Sequence, residues 1–328
     1  MPGNNYDNTS ALRRAEVYSA MVLDTLKDQF LPDGIYRDVT DFQDGDTLHI
    51  TTFGDLVLRD LTDDQPTPVD PMDSGEVTLT ITDYVGSGVY MTDKVRDDAW
   101  KAEQFDAAIV PKQLRAIKER FETDMLKAGN AGQTASNPNT INGYAHRFVA
   151  SGSNSTITIE DFIYAKLAMD KANASDMGRI AIFDPIAEAT LNSIANLING
   201  SNNPQYQGIV ETGFGKNMRF IRNIMGFDIY LSNRLPQISS ESVDTSSITV
   251  PAPSGSGSVT TGVANLFMVV GDDSETPIMG AWRRQPFFEG NRNARWRRDE
   301  FFMSSRYGFG LQRTQTLLVL LTSRVKYN

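Results

Sequence analysis

Thr47-Leu48-His49-Ile50-Thr51-Thr52-Phe53 and Val77-Thr78-Leu79-Thr80-Ile81 are two strand-like runs, the second in clear period-two alternation. The stretch between them carries Asp55, Asp60, Asp63, Asp64, Asp70, Asp73 and Glu76 against one base, Arg59, for a net charge of −6 over Asp55–Glu76. It also holds Pro66, Pro68 and Pro71. Prolines at that density prevent helix and remove the donors a strand ladder needs. The stretch therefore reads as an extended hairpin with a long, irregular, acidic tip. Loops longer than about 12–15 residues are uncommon inside compact domains and are usually functional or disordered.

Upstream, Ala15, Tyr18, Val22 and Leu26 recur at helical spacing within 10–30, and Pro32 follows the expected end. Downstream, the strongest helix spans about 98–128, with Leu114, Ile117, Phe121 and Met125 forming one stripe. Pro111 predicts a kink, or a break at which it opens the second half. Gly129 is the expected stop. One strand is expected over Gly143–Val149. Thr158-Ile159-Glu160-Asp161 has the pattern of a capping box and opens a helix to about Asn173. A short apolar strand at Arg179–Phe183 leads into Asp184-Pro185, an N-cap followed by proline at the first helical position. That helix is expected to continue to Gly200. Two short strands are expected about Gly226. Residues 236–262, rich in Ser, Thr, Gly and Pro, read as a mobile loop. The C-terminal part is β-rich, at Leu266–Val270, Glu300–Ser304 and Thr316–Leu321.

Composition bounds the function. The chain has 328 residues, 40% of them apolar and 22% charged, enough for a large core. A net charge of −10 argues against a protein that coats DNA, which needs clustered Lys and Arg on one face. With no cysteine, disulfides, thiolate nucleophiles, zinc–thiolate sites and iron–sulfur clusters are excluded together. The longest aliphatic run, Leu317–Leu321, is far short of the roughly 20 residues that span a bilayer. Met1–Ser10 lacks the pattern of a secretory signal. A soluble protein made in a cytoplasm, without a membrane partner, is expected.

Catalytic signatures are sparse. His49 and His146 lie in separate strands, where packed or surface roles are the ordinary case. Gly86-Ser87-Gly88 and Gly213-Phe214-Gly215 begin like nucleotide loops but do not complete one. Asp41, Asp44 and Asp46 cluster about Gly45 without the spacing of an EF-hand, so a solvated turn is the better reading. No catalytic residue, cofactor or metal is expected. One segment is less ordinary. Arg283, Arg284, Arg292, Arg295, Arg297 and Arg298 stand against the single acid Glu289, a net +5, interleaved with Trp282, Phe287, Phe288 and Trp296. It reads as a nucleic-acid patch, as a solvated face, or as an acceptor for the acidic tip in which charge sets register.

The order of these features resembles the tailed-bacteriophage major capsid proteins, the Hong Kong phage capsid fold. Three stretches carry the resemblance: Ile141-Asn142-Gly143-Tyr144 through Ile159-Glu160-Asp161-Phe162, Arg179-Ile180-Ala181-Ile182-Phe183-Asp184-Pro185, and Ile224-Met225-Gly226-Phe227-Asp228-Ile229-Tyr230-Leu231-Ser232-Asn233-Arg234-Leu235-Pro236. The resemblance implies an α+β protein. Its parts are an N-terminal arm (1–45), an extended β-hairpin loop (46–90), a peripheral domain with a long spine helix and return strands (91–139 and 266–328), and a central α/β axial domain (140–265). It further implies hexamers and pentamers of an icosahedral shell around double-stranded DNA, with no catalysis and no sequence-specific DNA contact. The acidic tip and the arginine segment are the candidate inter-subunit contacts, and Leu114, Ile117, Phe121 and Met125 the packing stripe of the spine. Implied partners are a separate scaffolding protein, the portal and a decoration or cement protein, with assembly in the host cytoplasm and residence in the virion. Some members join subunits by an isopeptide bond from a lysine on the extended loop. This chain has no lysine between Lys27 and Lys94, so that bond is expected to be absent. A fused scaffolding segment is likewise not expected. Two other readings stay open: an encapsulin-type compartment with the same fold, and a soluble α/β enzyme.

Overall fold

A computed structural model of the chain describes residues 30–32, 34–40, 45–54, 58, 60, 63, 66, 69, 71–99, 102–134, 138–193, 223–243 and 257–325. The helix expected over 10–30 and the continuation of the helix after Pro185 to Gly200 fall outside the described residues, as does Gly213-Phe214-Gly215.

In chain order the elements are β1 (Arg37–Asp38), β2 (Thr47–Phe53), β3 (Ser74–Thr80), β4 (Asp83–Thr92), α1 (Asp93–Asp98) and α2 (Ala102–Ala131). There follow β5 (Thr140–Ile141), β6 (Tyr144–Ala145), β7 (Arg147–Val149), α3 (Ile159–Lys171), β8 (Arg179–Phe183) and α4 (Pro185–Ser193). The last group is β9 (Asn223–Ile224), β10 (Phe227–Leu231), β11 (Gln237–Ser242), β12 (Ser258–Val269), β13 (Ile278–Asn293), β14 (Arg298–Leu311) and β15 (Leu317–Ser323). A four-stranded sheet has the order β1-β13-β14-β4; a seven-stranded sheet runs β7-β15-β12-β8-β10-β9, with β11 also on β12. The chain is thus α+β.

Helix α2 joins the two sheets. It is 30 residues long, about 45 Å at the usual rise, and runs through Pro111, which is exposed and so leaves its lost donor on the solvent side. Phe121 stacks on Trp282 of β13 at 4.3 Å and meets Tyr36, Tyr307 and Phe309 edge-on. Further along, Met125 and Leu126 enter the core on one face of the seven-stranded sheet, with Ile180, Ile182, Leu266, Met268, Val319 and Leu321. On the other face α3 contributes Phe162, Ala165, Ala168 and Met169 against Phe183, Phe267, Leu318 and Leu320. The aliphatic run 317–321 is therefore buried on both sides, as expected of a strand between two layers. Gly129 does not stop α2. A Cβ there would sit 3.0 Å from Leu266 and 3.2 Å from Ile278, so this glycine lets the helix approach the sheets.

The capping box at Thr158 is present, with the Asp161 carboxylate accepting the Thr158 amide at 2.8 Å. Asp184 caps α4 through the Ile186 amide at 3.1 Å. Other expectations needed correction. The single strand over Gly143–Val149 divides into β6 and β7, because the His146 amide turns to the Pro138 carbonyl. The loop expected over 236–262 contains β11 and the start of β12, paired from Gln237↔Val263 to Ser242↔Ser258. Its Val and Thr residues favour strand, and Val259 and Val263 belong to the core. The arginine segment lies on the β13–β14 hairpin and its four-residue turn. Strands β4 and β13 have no expected counterpart, since Gly86, Gly88, Pro286 and Gly290 interrupt their apolar pattern.

Candidate assembly interface

The β2–β3 ribbon pairs in register from Thr47↔Thr80 to Phe53↔Ser74. Strand alternation gives it two unlike faces. One bears Leu48, Ile50, Val77 and Leu79, of which Leu79 is fully buried with Ile81, Met279 and Ala281 at the base. Gly308 sets the seating of that base. A Cβ on it would meet the Thr80 carbonyl oxygen at 2.6 Å and the Ile81 Cα at 2.7 Å. The opposite face carries Thr47, Thr51 and Thr78, with His49 paired to Glu76, and ends at Phe53. Beyond Ile50 the ribbon loses its cover: Phe53 is 68% exposed and Met72 50%. A two-stranded ribbon alone is marginal in water, so its outer half gains little from its own molecule.

The acidic residues sit at this uncovered end. Asp60, Asp63, Asp73 and Glu76 are exposed; Asp55, Asp64 and Asp70 lie outside the described residues. Glu76 is engaged by His49 within the ribbon.

The six arginines are brought together, on one hairpin. Arg284 pairs with Glu289 at 3.0 Å. Arg292 is gripped by both oxygens of Asp93, at 2.5 and 2.6 Å, and by Asp299 at 3.0 Å. That guanidinium holds the Asp93 carboxyl below its usual range. Arg298 binds Glu300 at 2.6 Å, lowering its pKa, and lies over the Tyr90 ring at 4.5 Å. Arg295 and Arg297 stand in the exposed turn, and Arg283 faces solvent before it. At least three of the six are thus already paired within the chain, which lowers the charge left for an acidic partner.

On the spine, Ile117 and Met125 are buried, while Leu114 and Phe121 are half-buried. Sequence reasoning missed the polar residues on the same helix. The Gln113 side-chain amide donates to the carbonyls of Ser87 and Phe301, each at 3.1 Å, joining helix to sheet. Buried Glu122 accepts from Ser232 Oγ at 2.7 Å, the Leu31 amide at 3.3 Å and Arg234 at 3.4 Å. Two segments far apart in sequence, at Leu31 and at Ser232–Arg234, thus meet on this one carboxylate of α2. The only signal available was a charge three residues from Met125, on the apolar side, where a partner is obligatory.

Chemistry is sparse elsewhere. His146 is fully buried, and burial pushes its pKa down. Asp41 and Asp44 are outside the described residues. The Asp46 carbonyl accepts the Ile81 amide at 2.7 Å. Among the described residues no cluster of three His, Asp or Glu is placed to hold a metal, and no helix is long and apolar enough to cross a membrane.

Comparison with known proteins resolves the family. Residues 75–319 match the family model described as phage capsid protein. No curated protein sequence matches. Among solved structures, the capsid of cyanophage P-SCSP1u aligns with a TM-score of 0.67 at 16% identity, over 93% of this chain and 92% of that one. The mature capsid of bacteriophage PhiM1 aligns at 0.64 and 12% identity, over 95% and 93%. A Mycobacterium phage Che8 chain aligns at 0.60 and 16%, over 97% and 98%. Low identity with near-complete mutual coverage is agreement of fold. With three quarters of its length matched by one family model, this chain belongs to the phage capsid protein family, as a structural protein and not an enzyme.

Proposed function

We propose that this protein is the major head protein of a tailed phage, tiling with copies of itself as hexamers and pentamers of an icosahedral shell around double-stranded DNA. The observation that carries the proposal is the β2–β3 ribbon, seated at its base and uncovered along its outer half. In a shell, that outer half lies over the adjacent copy. The charge of −10 suits a lining that does not grip the genome. The parts take the layout of arm (1–45), extended loop (46–90), peripheral domain (91–139, 266–328) and axial domain (140–265). Assembly occurs in the host cytoplasm with a separate scaffolding protein, a portal and a decoration protein. The acids of the tip and the arginines of the β13–β14 hairpin lie at the contact and set its register.

Each contact is weak, and symmetry multiplies it. Electron microscopy of the expressed protein with and without a co-expressed scaffold tests this. Shells or capsomer rings are expected; a monomer under every condition would refute it. An encapsulin-type compartment is distinguished by protein cargo in place of DNA in particles from infected cells.

A further inference from the structure

The chain crosses between the two sheets at three connections: 132–146 from α2 to β7, 270–277 from β12 to β13, and 312–316 from β14 to β15. Single bonds, most of them from side chain to backbone, tie the connections to one another. Gln133 Nε2 donates to the Leu317 carbonyl at 2.9 Å, Asn139 Nδ2 to the Thr314 carbonyl at 3.0 Å, and Thr316 Oγ1 to the Glu275 carbonyl at 2.6 Å. The Gln312 amide donates to the Pro277 carbonyl at 2.8 Å. Asn139 holds a left-handed φ of 53°. The same region concentrates bare polar atoms. Gln133 Oε1, Thr140 Oγ1, His146 Nε2 and Glu275 Oε2 are buried without a hydrogen-bond partner among the described residues; Gln113 Oε1 and Ser305 Oγ are the others. Buried polar groups are normally paired, so this concentration asks for a reason.

His146 is the member of this group that titrates nearest neutral pH. Its amide donates to the Pro138 carbonyl at 3.0 Å and its carbonyl accepts the Val319 amide at 2.7 Å, so it pins the first connection to β15. Its ring is fully buried, with Nδ1 3.4 Å from the Tyr144 carbonyl. A neutral imidazole needs only one donor bond. A second proton would make Nε2 a charged donor with no partner in bonding range, a costly state when buried. Burial holds the pKa down, against the carbonyls of Tyr144, Asn139 and Gln315, which favour the proton. No charged side chain offsets the burial. Arg147 turns to Glu241 and Asn130. The Tyr164 hydroxyl accepts the Ala145 amide and is held above its usual range by burial, and the Tyr144 ring packs on it. On the other connections Glu275 is half-buried, while Asp272, Asp273 and Arg313 are exposed.

We infer that this crossing is a joint that protonation of His146 loosens, freeing the two sheets to turn relative to one another. The joint belongs to the single protomer and does not depend on the proposed assembly. The folded joint excludes the proton, so its stability is complete above about pH 6.5 and is lost as pH falls below that value. Asp161, whose carboxyl is raised from 3.8 to about 6, acts on overall stability in the opposite sense, so the effect of His146 is read locally.

Amide hydrogen exchange of the unassembled protein, corrected for intrinsic rates, is compared at about pH 7.5 and about pH 5.5. Protection at the His146, Gln312 and Val319 amides should fall by about tenfold, and at the β8 amides far less. In His146→Gln, which stays neutral, it should not fall. The chain has no cysteine, so Ser239→Cys on β11 and Asn291→Cys on β13 can carry spin labels, one on each sheet. Their distance distribution should broaden at the lower pH, and should not once His146→Gln is added. Unchanged protection in the parent, a fall that persists in His146→Gln, or an unchanged distance distribution overturns the joint. Should His146→Gln not fold, histidine C2–H exchange of the parent takes its place. His146 should then titrate over the interval in which the amides lose protection; titration of His49 alone overturns the assignment.

Discussion

Glu122 shows how a single residue can hold this fold together and stay invisible in sequence. Its partners Ser232 and Arg234 lie 110 and 112 residues away, and Leu31 lies 91 away. Replacing it with alanine removes the buried carboxylate from partly buried Arg234, leaving the longer 3.8 Å contact to Glu119. Glu122→Ala should cost about 3 kcal/mol in urea unfolding of the unassembled protein; a loss within about 0.5 kcal/mol would show the node to be idle. Asp161 gives a pH test. Burial outweighs the donated hydrogen bonds and pushes its carboxyl up to about 6 from 3.8. A raised carboxyl pKa means that the folded state holds the proton more tightly, so this group's contribution is present at low pH and lost as pH rises from about 4 to 6. The change is on the order of 3 kcal/mol. Asp161→Asn should flatten that part of the stability–pH profile; an unchanged slope would place its origin elsewhere. Residue-scale features were legible where their partners are close in sequence, as at Thr158 with Asp161 and Asp184 with Ile186. Arg147 with Glu241, 94 residues apart, was not.

Among elements, the ribbon, α3, β8, α4 and β15 could be read because period and caps agree within each. Strands β4 and β13 could not, because glycines and a proline interrupt their alternation and half of each faces outward. The stop expected at Gly129 failed for a related reason: a glycine that permits close approach looks in sequence like one that ends a helix. Gly308 is the more severe case, because what it approaches is backbone. Gly308→Ala should destabilise by about 2–3 kcal/mol and tilt the ribbon base, reducing assembly. Gly129→Ala, which meets only methyl groups and gains helix propensity, should cost about 1 kcal/mol or less. Thermal melts of both variants check the order; reversal would mean that the base seats differently.

At the scale of the whole molecule, the sequence identified the architecture through the order of its parts, while the arginine segment showed how charge counting misleads. Six arginines look like free charge in sequence, but pairing with Asp93, Asp299, Glu300 and Glu289 absorbs much of it. With no lysine from 28 to 93, mature shells should run as a single band on denaturing gels; a covalent ladder would contradict this. The most direct test of the account is to replace residues 54–73 with a two-residue Asn-Gly turn and measure assembly by sedimentation beside the melting temperature. The account predicts a protomer that melts within about 2 °C of the parent, since little of the ribbon's outer half is buried, and that no longer forms shells. Shells of normal size from the shortened chain, or a protomer that unfolds without the ribbon tip, would contradict it.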